Sequence, residues 1–219
     1  MKIRDNRWRT AASWLTALGL LAGGVGAAFL PWVGERAVAL QLTGPGLAEF
    51  VKFLPAVRLG EVHIQRLYFL LPLFTAMLTL PLAAVNRTVS LPGGLRWLFR
   101  LAAVPLALAS LSPVWTPAIL VSAEFRLQTI LALTSMGLVV VGPVFKRLPW
   151  PWLAVGLAVA GTASIILPVR AFGLVQAGIA EAYNHPVVLG WGWTVTVLGL
   201  GAAVVGSLWL AAIRKNPAE

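Results

Sequence analysis

The chain has 219 residues, 59% of them hydrophobic and 11% charged, and its 17 Lys/Arg against 7 Asp/Glu give a formal charge of +10. Soluble domains carry about 25% charged residues, so this composition, with a mean hydropathy of +0.86, excludes a soluble globular protein. Cysteine is absent, which removes disulfides, thiolate nucleophiles, cysteine-ligated metals and iron–sulfur clusters.

Six apolar stretches follow in chain order, at about 11–30, 67–85, 97–121, 127–145, 150–169 and 187–213, none with an ionisable residue in its middle. Each covers a hydrocarbon layer of roughly 30 Å, which takes about 20 helical residues. The expected fold is an all-α, polytopic membrane protein. It has one membrane domain over residues 1–219, with six transmembrane helices in three hairpins.

The first stretch follows Lys2, Arg4, Arg7 and Arg9 and runs to Val25-Gly26-Ala27, a pattern shared with signal peptides; it is read here as the first transmembrane helix. It contains Gly19, Gly23, Gly24 and Gly26, and the last stretch contains Gly199, Gly201, Ala202, Ala203 and Gly206. Small residues at such spacing let helix backbones approach closely, so both helices are expected to pack against a neighbour.

The longest polar connection, about 31–66, opens a second theme. Gly44-Pro45-Gly46 reads as a turn. Leu47, Phe50, Val51 and Leu54 then recur at helical spacing with Glu49 and Lys52 off their face. This predicts a short amphipathic helix lying on the membrane surface. Residues 172–183 show a weaker version with Phe172, Val175, Ile179 and Tyr183. Prolines Pro72, Pro81, Pro105 and Pro143 fall inside the spans, and each deletes a backbone hydrogen bond and bends its helix.

Charge orients the bundle. With both termini inside, the inner face holds Lys2, Arg4, Arg7, Arg9, Arg87, Arg96, Arg100, Lys146, Arg147, Arg214 and Lys215, and the outer face holds Arg36, Lys52, Arg58, Arg66, Arg126 and Arg170. The excess of inner cations supports cytoplasmic termini and a bacterial cytoplasmic membrane. The acids Glu35, Glu49, Glu61, Glu124 and Glu181 all fall outside. The tryptophans collect at the predicted boundaries and read as interface anchors. Basic residues in short clusters beside apolar spans point to lipid headgroups rather than nucleic acid as the counter-charge. Asn86-Arg87-Thr88 matches a glycosylation sequon but lies on the inner side.

The polar chemistry therefore sits at the outer mouth. An Ala-Glu pair recurs as Ala48-Glu49, Ala123-Glu124 and Ala180-Glu181, at unequal intervals that argue against a strict repeat. Candidate ligand contacts are Glu49, Glu124, Glu181, Tyr183, His185 and Trp191. Glu181 and His185 would share a face if that segment is helical, and the aromatic Gly190-Trp191-Gly192-Trp193 run follows. Glu61 and His63 form another acid–imidazole pair. The inner candidates, for lipid or partner docking, are Arg96, Arg100, Lys146 and Arg147. No phosphate-binding loop, dinucleotide fingerprint, HExxH or GxSxG appears, and two loop histidines offer no haem site, so neither a metal nor a cofactor is expected. The expected role is an integral subunit of a transport or other multi-subunit membrane complex, without its own ATPase or redox centre. Its partners would be the bilayer and other membrane or cytoplasmic protein chains. The alternatives are an enzyme acting on a lipid or prenyl substrate at the outer leaflet, through Glu181/His185 or Glu61/His63, and a structural assembly subunit.

Overall fold

The computed structural model describes residues 2–34 and 41–215. The charges read at Lys2, Arg4, Asp5, Glu35, Arg36, Arg214, Lys215 and Glu219 lie outside the described side chains. In chain order the helices are α1 (Lys2–Phe29), α2 (Gly44–Phe50), α3 (Pro55–Arg58), α4 (Leu71–Val85), α5 (Gly93–Ala109), α6 (Pro117–Leu120), α7 (Arg126–Val141), α8 (Trp150–Tyr183) and α9 (Trp191–Lys215). Short 3-10 turns at Arg66–Leu70 and Gly142–Arg147 extend α4 and α7. Among the described residues the only sheet-like pairing is one bridge, Val33 with Leu42.

Among the described residues, five helical stretches are long and apolar enough to cross a membrane: Arg7–Phe29, Arg66–Val85, Arg126–Arg147, Trp150–Tyr183 and Trp191–Ile213. The expected span 97–121 is broken. Helix α5 stops at Ala109, and Ser112 and Thr116 each precede a proline, a position that disfavours helical backbone. The 17 residues of α5 rise about 25 Å. The reverse difference occurs in α8. Its 34 residues pass through Pro168 without ending, so the expected span at 150–169 and the cap at 172–183 are one helix, roughly 51 Å long. Buried Phe172, Val175 and Ile179 supply the packing that outweighs the lost hydrogen bond.

Helix α4 is the hub. It touches α1, α5, α7, α8 and α9 and is buried on most of its surface. The most extensive pairing joins α1 to α9, and glycine makes it possible. A Cβ on Gly19 would stand 2.6 Å from the backbone of Ala203 and Gly199, and one on Gly26 would stand 2.8 Å from Thr196 N. Gly206 abuts Thr16 in the same way, so the two small-residue faces read from sequence face each other. Helices α7 and α8 leave the Leu148–Pro149 link and pack on α4 rather than closing on one another.

Two of the prolines, Pro81 inside α4 and Pro143 in the 3-10 turn that follows α7, have a specific counterpart. Pro81 has no N–H to offer the Met77 carbonyl four residues back; the buried Ser135 hydroxyl, from α7, donates to that oxygen at 2.7 Å. Pro143 likewise leaves the Val139 carbonyl without its helical donor, and Arg100 Nη2, from α5, donates there. A freed carbonyl in an apolar interior is costly, and in both places a neighbouring helix supplies the donor.

The bundle has two distinct ends. At one, Arg9 donates to the Thr88 and Arg87 carbonyls, Asn86 Nδ2 donates to Leu148 O, and Trp8 packs on Trp209. At the other lie α2, α3 and the starts of α4 and α7. Helix α5 reaches both. Arg96 in its first turn donates to Leu91 and Val89 carbonyls, and its last carbonyl neighbour, Ser110 O, accepts from Gln128 Nε2 at 2.9 Å. Three tryptophans expected as interface anchors, Trp32, Trp150 and Trp193, are instead core residues. Trp32 and Trp150 are fully enclosed, and their indole N–H groups donate to Gly26 O and Ser207 O.

Candidate functional site

The candidate site forms where the 31–66 connection crosses the bundle end. Gly44-Pro45-Gly46 is not a free turn but the first turn of α2. Thr43 is its N-cap, accepting from Gly46 N at 3.3 Å, and Pro45 sits where no donor is required. The apolar face of this segment also differs from the expectation of a helix lying on the bilayer. Leu47, Val51 and Leu54 are buried in the protein, against the start of α4 and the Gly178 region of α8. That packing turns Glu49 and Lys52 toward Arg66 and Glu124.

The four charges close into a network. Glu49 accepts from Arg66 Nη1 at 2.9 Å and from Lys52 Nζ at 2.6 Å, one cation on each carboxylate oxygen. Lys52 also reaches Glu124 Oε1 at 2.7 Å, with Arg66 Nε 3.6 Å from the same oxygen. Arg66 Nη2 donates to the Glu124 carbonyl at 2.7 Å and to Gln128 Oε1 at 2.6 Å. Through Gln128 the chain of contacts continues to Ser110 O. The Phe125 ring lies 4.7 Å from the Arg66 guanidinium and 5.1 Å from Lys52 Nζ. One connected set thus ties together α2, the start of α4, the end of α5 and the start of α7.

Electrostatically the set is balanced, two cations against two carboxylates. Burial lowers the Lys52 pKa, but hydrogen bonds and charges from Glu124 and Glu49 outweigh it and hold the ammonium above its ordinary value. The Lys52 hydrogen bond holds Glu124 below its ordinary value, against a smaller opposing effect of burial. With the carboxylate kept ionised and the ammonium kept protonated, neither is poised to exchange protons near neutral pH. The arrangement positions chain segments and presents fixed charge. Beside it open two clefts. One, of about 340 Å³, is lined by Glu49 and Gln128 with Leu70, Leu108, Leu111 and Trp115. The other, of about 300 Å³, is lined by Lys52, Arg66, Glu124 and Gln65 with Val51 and Leu67.

Comparison of the chain with protein-family models, curated proteins and solved structures returned no match.

Of the candidate contacts, Glu49 and Glu124 come together through Lys52 and Arg66. The Tyr183 ring lies 5.9 Å from that of Phe50, which is not part of the ion network, and 6.2 Å from that of His185. Glu181 and Trp191 are exposed and stand apart from the network. Helix α8 ends at Tyr183, and Asn184 turns the chain in the left-handed region at φ 55. His185 therefore lies beyond the helix and not at the i+4 position of a continuous one; its Nδ1 is 2.9 Å from Pro186 O. Glu61 and His63 lie exposed in the loop before α4, with His63 on a shallow cleft. The three Ala-Glu pairs occupy unlike settings: a helix, the turn before α7, and the last turn of α8. Among the described residues no group of three His, Cys, Asp or Glu is placed to hold a metal.

Sequence reasoning missed Lys52, Arg66 and Gln128 as site residues. The signal available for Lys52 was its i,i+3 spacing from Glu49. For Arg66 and Gln128 it was the presence of a polar residue at the start of an apolar span, where a side chain unable to face lipid must turn inward.

Among the inner candidates, Arg96 is anchored on backbone carbonyls. Arg100 is buried, bonded to Val139 O and stacked 4.1 Å from the Trp97 ring. Lys146 and Arg147 are exposed. Asn86 of the sequon is buried, with its amide held by Leu148 O and Thr88 N.

Proposed function

We propose that this chain is an integral subunit of a transport or other multi-subunit membrane complex, crossing a bacterial cytoplasmic membrane six times with both termini in the cytoplasm. In this reading α5 is the short sixth crossing. Its contacts at both bundle ends, and the greater number of cations at the Arg87/Lys146 end, support that topology. The observation that carries the subunit reading is the uncovered side of the bundle. Helices α7 and α8 expose Gly137, Gly156 and Gly173, where an added Cβ would meet open space, among Leu133, Val140, Val155 and Val159. Small residues on a membrane-facing surface admit the close approach of another helix. The neutralised network at the outer end supports a scaffold rather than an acid–base centre.

Extraction in a mild detergent followed by affinity capture of the full chain tests this. The expected result is co-purification of further membrane chains, lost when Gly137, Gly156 and Gly173 are replaced by leucine. A strictly monomeric protein without partners would overturn it. The chain has no native cysteine, so single Lys146→Cys and Glu181→Cys variants test orientation. Only the second should react with an impermeant maleimide added to whole cells.

A further inference from the structure

The inner end of the bundle shows a division of labour among its cations. Arg9, Arg96 and Arg100 all direct their guanidinium groups onto backbone carbonyls: Thr88 and Arg87, Leu91 and Val89, and Val139 respectively. Three others, Arg87, Lys146 and Arg147, are exposed. They come from segments far apart in the chain, yet the backbone fixes them side by side. Arg87 N donates to Lys146 O at 3.2 Å, and Asn86 Nδ2 donates to Leu148 O at 2.9 Å. All four ion pairs among the described residues belong to the opposite end, and no described carboxylate lies at this one.

Apolar surface adjoins these cations directly. Val144 is 79% exposed and Phe145 40% exposed, both on the same short turn as Lys146 and Arg147, and Val140, at the end of α7, is 76% exposed. A soluble acidic protein or a nucleic acid would satisfy the cations and leave this surface unmatched. A phospholipid satisfies both, with its phosphate on the cations and its acyl chains along Val140, Val144 and Phe145. We propose that Arg87, Lys146 and Arg147 form a binding site for the phosphate of an anionic phospholipid, held open by the Asn86 and Arg9 contacts that fix the 86–88 turn. The inference depends on the membrane location of the chain and not on the subunit reading. The orientation proposed above enters only in assigning the lipid to the inner leaflet.

Native mass spectrometry of the purified full chain in neutral detergent, titrated with phosphatidylglycerol or phosphatidylcholine, tests the site. Phosphatidylglycerol should bind in preference to phosphatidylcholine. Replacing all three by glutamine (R87Q/K146Q/R147Q) removes every cation of the site and should weaken phosphatidylglycerol binding roughly 100-fold. A control of equal charge, R58Q/R126Q/R170Q, alters exposed cations elsewhere and should bind like wild type. Matching circular dichroism and melting of the variants exclude misfolding. Unchanged binding by the first triple variant would overturn the proposal, as would equal losses in both. Competition by millimolar inorganic phosphate or by polyglutamate as effective as unlabelled phosphatidylglycerol would assign the cations to a soluble anion or an acidic protein and also overturn it.

Discussion

Replacing Ser135 by alanine isolates a contact that joins two helices around a missing hydrogen bond. Met77 and Ser135 are both fully buried, so no water can reach the carbonyl when the 2.7 Å bond from Ser135 Oγ is removed. Leaving a buried acceptor unsatisfied costs about 1–3 kcal/mol, whereas interhelical hydrogen bonds in membrane proteins average about 0.6 and reach about 1.7 kcal/mol. Pro81 denies Met77 O its ordinary donor, which places Ser135→Ala near the upper part of that range, at about 1.5 kcal/mol, or roughly tenfold in the unfolding equilibrium. The decisive comparison is the same substitution in a Pro81→Ala background. There the restored backbone N–H at position 81 donates to Met77 O, and loss of the hydroxyl should cost only a few tenths of a kcal/mol. Equilibrium unfolding of the four proteins in mixed micelles gives a coupling energy, expected at about 1 kcal/mol. A coupling within about 0.3 kcal/mol of zero would mean that the hydroxyl does not replace the deleted donor, and the account of proline tolerance in α4 would be wrong.

Three further outcomes follow from the packing and the ion network. Gly199→Val should destabilise by more than the about 1–3 kcal/mol typical of overpacking, because the added atoms meet the Gly19 and Gly23 backbone; Gly201→Ala, which meets nothing within 4 Å, should be neutral or slightly stabilising in the same melting assay. Arg66→Gln should cost about 2–3 kcal/mol, less than the 3–5 of a fully buried pair because Lys52 remains on Glu49, and should raise protease cleavage in the 44–66 segment. The network should also be pH-sensitive at both extremes. Glu124 is held below its ordinary value of 4.5, so its contribution is present above that pH and fades as pH falls through the lower folded value; Lys52 is held above 10.5, so its contribution is present below that pH and fades as pH rises through the higher folded value. The protection factors of the amides at residues 44–66, taken against the intrinsic exchange rate at each pH, should therefore be flat between about pH 5 and 10 and fall outside that window, and protection that instead changes near neutrality would contradict the assignment.

Membrane residence was legible in the sequence because it depends on summed composition, which no single contact can reverse. The glycine faces of α1 and α9 were legible as surfaces but not as partners, since spacing shows that a backbone can be approached and not by what. Helix limits failed in opposite directions at two prolines. At Ser112-Pro113 no buried apolar face followed to hold the helix together, while beyond Pro168 the residues Phe172, Val175 and Ile179 did so. The network at Glu49 was half legible. Its carboxylates stood out by position, but Arg66 lies 17 residues from Glu49 and 62 from Gln128, and only the folded arrangement of α2, α4, α5 and α7 brings the three together.

The cations give the clearest case of what a count leaves out. The topology rule treats Arg96, Arg100, Lys146 and Arg147 as equivalent inner charges, and by number they are. Their surroundings separate them. Arg100 stands one helical turn farther along α5 than Arg96, faces the end of α7, and finds the Val139 carbonyl that Pro143 leaves without a donor. An arginine is suited to that place because its guanidinium remains charged and carries several donors on a long apolar stem, with the Trp97 face beside it at 4.1 Å. Lysine at that position would offer a single compact head to the same oxygen and lose the planar stacking. The arginine therefore belongs to the architecture of the α5–α7 contact, and only the exposed members of the cluster remain to meet a ligand.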